Sequence, residues 1–330
     1  MRERDRIIAT HMGSAPQVTP KAFKLDPPTT LEEDFNGILP ELALAQKVER
    51  LSVIEFFAAL ARLYERYEDI AYVEEKYLIV DGNHLSEMFE DFDGLAILEV
   101  DNRLSAWKAS LPSHLVLDTA YHSGRQDPII RRQNCMLRIK YLHMRLRLWR
   151  PLLALTAAFP GISKRLSFTD GSRMRRVDTP LSHALIQEGA VKCVLAANEI
   201  IDLITAAPTN AAYSTGYWWE NIEYVFACST VFLAARLSPL STQLRLRELS
   251  GIDLIEDGWK RSVQFLEGCR SFSPVAAKCI SALEALAVVV LGEADKADEE
   301  PYEQRIGDWC MRYFGRDLVW LNCLPADIPE

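Results

Sequence analysis

The residues from Arg131 to Leu155 constrain the fold more than any other stretch. Cys135, Ile139, Leu142, Leu146, Trp149 and Leu153 recur at spacings of 4, 3, 4, 3 and 4, which is one continuous helical face. Leu137, Tyr141, Met144 and Leu148 form a second stripe, nearly opposite the first at about 100° per residue. A helix that is apolar on two opposite sides belongs between two layers of neighbours. Arg138 and Arg145 occupy one seam between the stripes, and Lys140 and Arg147 the other. The expected arrangement buries their stems and turns their charged heads outward. So basic a helix invites a DNA-recognition reading. A recognition helix, however, presents one exposed polar face, whereas these charges are divided by two apolar ones. Pro151 has no amide hydrogen to donate and predicts a kink or an end near Trp149.

The other segments supply helices to cover this one. Residues 1–40 are polar and proline-bearing and are expected to form an extended N-terminal arm. Ser52 and Glu55 have the spacing of a capping box, and Val53, Phe57, Leu60, Tyr64, Tyr67 and Ala71 suggest the inner face of the helix that follows. Ile97, Val100, Leu104, Trp107 and Leu111 mark another amphipathic helix, stopped by Pro112. Ile186, Ala190, Val194, Ala197, Ile201 and Ile204 give a long one. Trp218, Ile222, Val225, Ser229, Phe232 and Arg236 give the next, closed by Pro239. A shorter helix carries Ile255, Trp259, Val263 and Leu266. Ser273-Pro274 is an N-cap followed by proline at the first helical position, ahead of Ala276, Cys279, Leu283, Leu286 and Val290. Ile306, Trp309, Tyr313 and Phe314 suggest a last helix after the acidic residues 293–304. No stretch alternates with the period of a strand. The expected fold is all-α, an irregular multi-helix bundle around a buried central helix.

The chemistry of the side chains disfavours several functions. A net charge of -9 argues against the whole chain as a nucleic-acid binder, since phosphate contacts need a basic face. The longest apolar run, near 275–292, includes Lys278 and Glu284 and suits a core helix better than a membrane span. The seven cysteines are scattered, with no Cys-x-x-Cys, and suit buried reduced thiols better than a tetrahedral zinc site. No nucleophile elbow, phosphate-binding glycine loop or His-Glu-x-x-His pair occurs. Asp91 and Asp93 are the nearest approach to a magnesium-binding pair, and their spacing of two does not share a helical face. No catalytic residue, metal ligand or cofactor is therefore expected. Arg173, Arg175 and Arg176 fall in an exposed connection between 159 and 180. The pair Trp218-Trp219 suits core packing at a helix start better than a ligand wall. If a ligand binds, aromatic and polar groups beside an apolar wall place it near Tyr141, His143 and Trp218.

Three stretches, taken in order, resemble the regulatory domain of fungal binuclear zinc-cluster transcription factors, also called the fungal-specific transcription factor domain or middle homology region. The first is Leu104-x-x-Trp107-Lys108-x-Ser110-Leu111-Pro112-x-His114-Leu115. The second is Tyr141-Leu142-His143-Met144-Arg145-Leu146 with Arg150-Pro151-Leu152-Leu153. The third runs from Cys193-x-x-Ala196-Ala197-x-x-Ile200-Ile201 to Trp218-Trp219. The likeness covers roughly residues 20–290 and implies that residues 41–330 hold the later part of that domain. The family's six-cysteine zinc cluster and the first half of its regulatory domain have no counterpart here, so DNA binding does not carry over. The resemblance implies a nuclear regulator of transcription that answers a small-molecule effector or regulatory protein, supports a homodimer, and reaches DNA only through a zinc-cluster domain. A helical small-molecule binder or an interaction scaffold derived from that domain is the alternative.

Overall fold

The computed structural model describes residues 54–78, 94–116, 128–158, 180–206, 218–238, 246–248 and 250–294. Its helices are α1 (residues 54–64), α2 (Tyr67–Leu78), α3 (Gly94–Ala109), α4 (Pro128–Ala158), α5 (Pro180–Thr205), α6 (Trp218–Arg236), α7 (Leu254–Cys269) and α8 (Pro274–Ala294), with a short 3-10 turn at Ser113–Leu115. No strand occurs among the described residues, and the fold is all-α. The expected arm at 1–40, the Ser52 cap, Asp91 and Asp93, the 173–176 arginines and the helix after 305 lie outside the described residues.

α4 is the hub. It packs against α2, α3, the 3-10 turn, α5 and α6, with its most extensive contact along α5. Both stripes are core: Ile139, Leu142, Leu146, Trp149 and Leu153 on one side, and Leu137, Tyr141, Met144 and Leu148 on the other, are at most 5% exposed. Cys135, nearer the start, is only partly buried. The helix does not end near Trp149 but runs through Pro151 to Ala158. Leu148, Leu152 and Leu155, with Trp149 and Leu153, carry the buried surface across the proline. Burial of several such side chains at roughly 1.5–3 kcal/mol each outweighs the ~3 kcal/mol cost of an interior proline. α4 and α5 approach closely at Gly189, where a methyl group would run into Leu152 and Trp149. Gly258 plays the same part between α7 and α6, where Phe232 fills the space a side chain would need.

The expected inner face of the first helix holds at Leu60, Tyr64 and Tyr67, which are buried, and fails at Phe57. Phe57 is half exposed, while Phe56 is buried. The chain turns at residues 65 and 66, so α1 and α2 are separate helices. The buried face runs Phe56, Leu60, Leu63, Tyr67, Ile70 and then Glu74. In α3 the predicted stripe holds: Ile97, Val100, Leu104 and Trp107 are buried, as is Asp101 among them. The Trp107 indole N–H donates to the Ala59 carbonyl at 2.9 Å and ties α3 to α1. The long stripe of α5 is buried from Ile186 to Ile204. At α8 the Ser273 hydroxyl accepts from the Ala276 amide, as the Ser-Pro pair predicts. At α7 Asp253 caps the helix by accepting from the Glu256 amide at 3.1 Å.

Candidate functional site

The two seams of α4 meet different neighbours. On one, α1, α2 and α6 close over Lys140 and Arg147. Both are buried, at 4% and 6% exposed, and their heads do not reach outward. Lys140 Nζ donates to Glu220 at 3.1 Å, to the Tyr224 hydroxyl at 3.1 Å and to the Tyr64 hydroxyl at 3.5 Å. Arg147 forms a bidentate pair with Glu74, its Nε 2.9 Å from one carboxylate oxygen and its Nη2 on the other. Its guanidinium also lies 5.0 Å from the centre of the Tyr67 ring. A desolvated cation must be neutralised at short range, and Glu74 and Glu220 do that here. Burial pushes the Tyr64 and Tyr224 phenols up against the pull of Lys140. Burial works against the Lys140 ammonium, but Tyr224, Tyr64 and Glu220 outweigh it and hold the amine well above its ordinary value. Lys140 is thus a fixed positive charge and not an amine nucleophile.

On the other seam, α3 and α5 leave a path to solvent. Arg138 donates through Nε to Glu199 at 2.6 Å. Arg145 holds Asp101 in two bonds of 2.7 and 3.1 Å. Lys192 approaches the same carboxylate at 3.7 Å and lies 4.6 Å from the centre of the Trp149 ring. The Tyr141 ring stacks on Trp107 at 5.7 Å between centroids.

Of the residues expected beside a ligand, Tyr141 and His143 line two different clefts. Tyr141 lines a cleft with Trp107, Lys108 and Asn134 under the 3-10 turn. His143 lines another, with Tyr64, Tyr67, Glu223 and Tyr224, its ring 4.8 Å from that of Tyr224. Two residues apart on a helix, the side chains point to nearly opposite sides. The Trp218 side chain lies outside the described residues, and Trp219 is half exposed and not packed in the core. Glu74 and Asp101 escaped the sequence reading although a signal was present. Each continues the apolar stripe of its own helix, and a carboxylate at a stripe position calls for a cation opposite.

Three basic residues of α4 are not placed to read a nucleic-acid groove. Lys140, Arg147 and Arg150 are buried, the last at 1% exposed, and both intervening stripes are core. Among the described residues no three His, Cys, Asp or Glu side chains are grouped so as to hold a metal ion. Burial pushes the thiols of Cys193 and Cys279 up to about 12 and that of Cys228 well above its ordinary value. Such thiols are inert at neutral pH. No described helix is long and apolar enough to cross a membrane.

The chain is similar to proteins named as transcription factors of fungal biosynthetic clusters. "Sorbicillinoid biosynthetic cluster transcription factor 2" of Penicillium rubens is 28% identical over 220 residues, 65% of this chain and 28% of that protein. "Sorbicillinoid biosynthetic cluster transcription factor sor3" of Hypocrea jecorina is 25% identical over 225 residues, 67% of this chain and 31% of that protein. The matched part thus spans less than a third of the length of these relatives. No family model matches the chain, and no solved structure matches it. These findings define an all-α chain similar to part of two fungal proteins that are named as transcription factors.

Proposed function

We propose that this chain is the regulatory part of a fungal transcription factor of the zinc-cluster type, corresponding to the later half of the middle homology region and acting in the nucleus. In this role it restrains the activator, receives a small-molecule or protein signal, and supports contacts between two copies. Residues 41–330 would form that domain, preceded by an arm at 1–40. DNA contact would come from a zinc-cluster domain and not from the helices described here. The observation that carries the proposal is the similarity, over two-thirds of this chain, to two proteins both named as transcription factors. The burial of the middle of α4 supports a regulatory role over a DNA-reading one, because Lys140 and Arg147 are already paired inside the protein.

The test is a reporter assay in a fungal host. The chain is placed between a zinc-cluster DNA-binding domain and a strong activation domain. The proposal expects lower reporter output than from the same fusion carrying an unrelated helical domain of equal length. It also expects a tagged chain in the nucleus. Equal output from the two fusions would overturn the regulatory reading.

A further inference from the structure

The open flank of α4 is electropositive on a chain whose net charge is -9. Arg131, Arg138 and Arg145 repeat every seven residues. That spacing sets them on one helical face, about 10 Å apart. α3 contributes Asp101 and Lys108 to the same flank, and α5 contributes Glu188, Lys192 and Glu199.

Contacts group these side chains into three stations along the helix. At the first, Arg131 stands exposed. At the second, Arg138 pairs with Glu199, and Arg138 and Lys108 lie 5.5 and 5.9 Å from the centre of the Tyr141 ring. At the third, Arg145 holds Asp101 in two hydrogen bonds, and Lys192 approaches that carboxylate at 3.7 Å. Cations exceed carboxylates at each station, with Glu188 one turn beyond the last on α5. Lys108 and Arg131 are exposed and make no ion pair with a described residue.

The flank is within reach of a partner. Arg138, Arg145 and Lys192 keep 20%, 24% and 32% of their side chains exposed. Glu199 is 41% exposed, so its pairing with Arg138 is of the weak, exchangeable kind. Leu195, between Lys192 and Glu199 on α5, is 37% exposed and offers an apolar contact between the second and third stations. Charges about 10 Å apart match carboxylates seven residues apart on a second helix. A nucleic-acid backbone fits less well, because its phosphates are continuous and Asp101, Glu188 and Glu199 would stand against them.

We infer that the open flank docks an acidic amphipathic helix of a partner protein, lying along α4, with a carboxylate over each station and an apolar side chain on Leu195. Its meaning as a protein signal rests on the regulatory reading above. Binding itself does not, so the two fail separately: the reporter assay judges one and peptide binding to the purified chain the other.

The probe is a fluorescein-labelled helical peptide with glutamate at every seventh position and leucines between. Its control carries glutamine in place of glutamate. Fluorescence anisotropy with the full chain is expected to show micromolar binding of the glutamate peptide at low salt. Glutamine should weaken it about tenfold or more, and so should raising the salt to about 0.5 M. Lys108→Glu and Arg131→Glu should each weaken it about tenfold with no change in melting temperature. Lys278→Glu, at an exposed position on α8, which packs on α6 and α7 and away from this flank, should leave it unchanged. No binding at millimolar peptide would overturn the inference, as would equal affinity for the two peptides. An equal loss in Lys108→Glu and Lys278→Glu would reduce the effect to net-charge attraction and overturn it as well. Duplex DNA that binds more tightly than the peptide, and is lost in Lys108→Glu, would assign the flank to nucleic acid instead.

Discussion

The two flanks of α4 start from the same sequence chemistry and end in different physical states. Lys140 and Arg147 are seven residues apart on one flank, and Arg138 and Arg145 are seven apart on the other. Yet Lys140 and Arg147 are sealed, while Arg138 and Arg145 keep 20% and 24% of their side chains exposed. The difference lies in what each flank faces. α1, α2 and α6 bring Tyr64, Glu74, Glu220 and Tyr224 to the first. α3 and α5 bring Asp101 and Glu199 to the second, and Glu199 itself is 41% exposed. A cation's cost on removal therefore depends on the carboxylate it leaves behind, and that is decided by the covering helix.

The largest expected effects concern the core that both flanks share. Leu142→Asp places a charge among apolar groups and should prevent folding at room temperature, seen as loss of the cooperative urea transition. Trp149→Ala should cost ~3–5 kcal/mol in the same melts, since the indole is fully buried between α4 and α5. Arg147→Ala comes next: it strands the buried Glu74 carboxylate, and the cost should be about 3–5 kcal/mol. Arg145→Ala should fall between, at roughly 1–3 kcal/mol, because Lys192 remains near Asp101. Arg138→Ala should cost about 1 kcal/mol or less, as for other half-exposed pairs.

Alkaline pH sharpens the contrast. A group whose folded pKa is raised keeps its proton longer in the folded state, so stability is full below the unfolded value and falls as pH rises toward the folded one. Cys193 and Cys279 move from 9.0 to about 12, which opens a window of loss from pH 9 upward. Tyr64, Tyr224 and Lys140 are shifted in the same direction from 10.0, 10.0 and 10.5. The urea midpoint should therefore decline from about pH 9, more steeply above about 10. Tyr224→Phe should make the upper part shallower, and Arg138→Ala should leave its slope unchanged.

Periodicity made most of the fold legible. The stripes of α3, α4, α5 and α8 are one-sided or two-sided runs long enough for a single face to dominate, and their described members are buried as the spacing predicts, except Cys135 and Leu111, which are partly buried. Phe56 and Phe57 fit the helical period almost equally well, and the packing of the helix puts Phe56 inside. Pro151 misled for a different reason: a local backbone preference yields to tertiary burial on both sides. The candidate ligand site was less legible. Tyr141 and His143 are both polar-tipped rings beside an apolar wall, but about 200° of helical rotation separates them and they line different clefts.

The inequality of the two flanks is tested most directly by paired double-mutant cycles in urea, one on Arg147 and Glu74 and the other on Arg138 and Glu199. The account predicts a coupling of about 2–3 kcal/mol for the sealed pair. It predicts below about 1 kcal/mol for the half-exposed one. Equal couplings, or a larger one for Arg138 and Glu199, would contradict the placement of α4 as a helix sealed on one flank and open on the other.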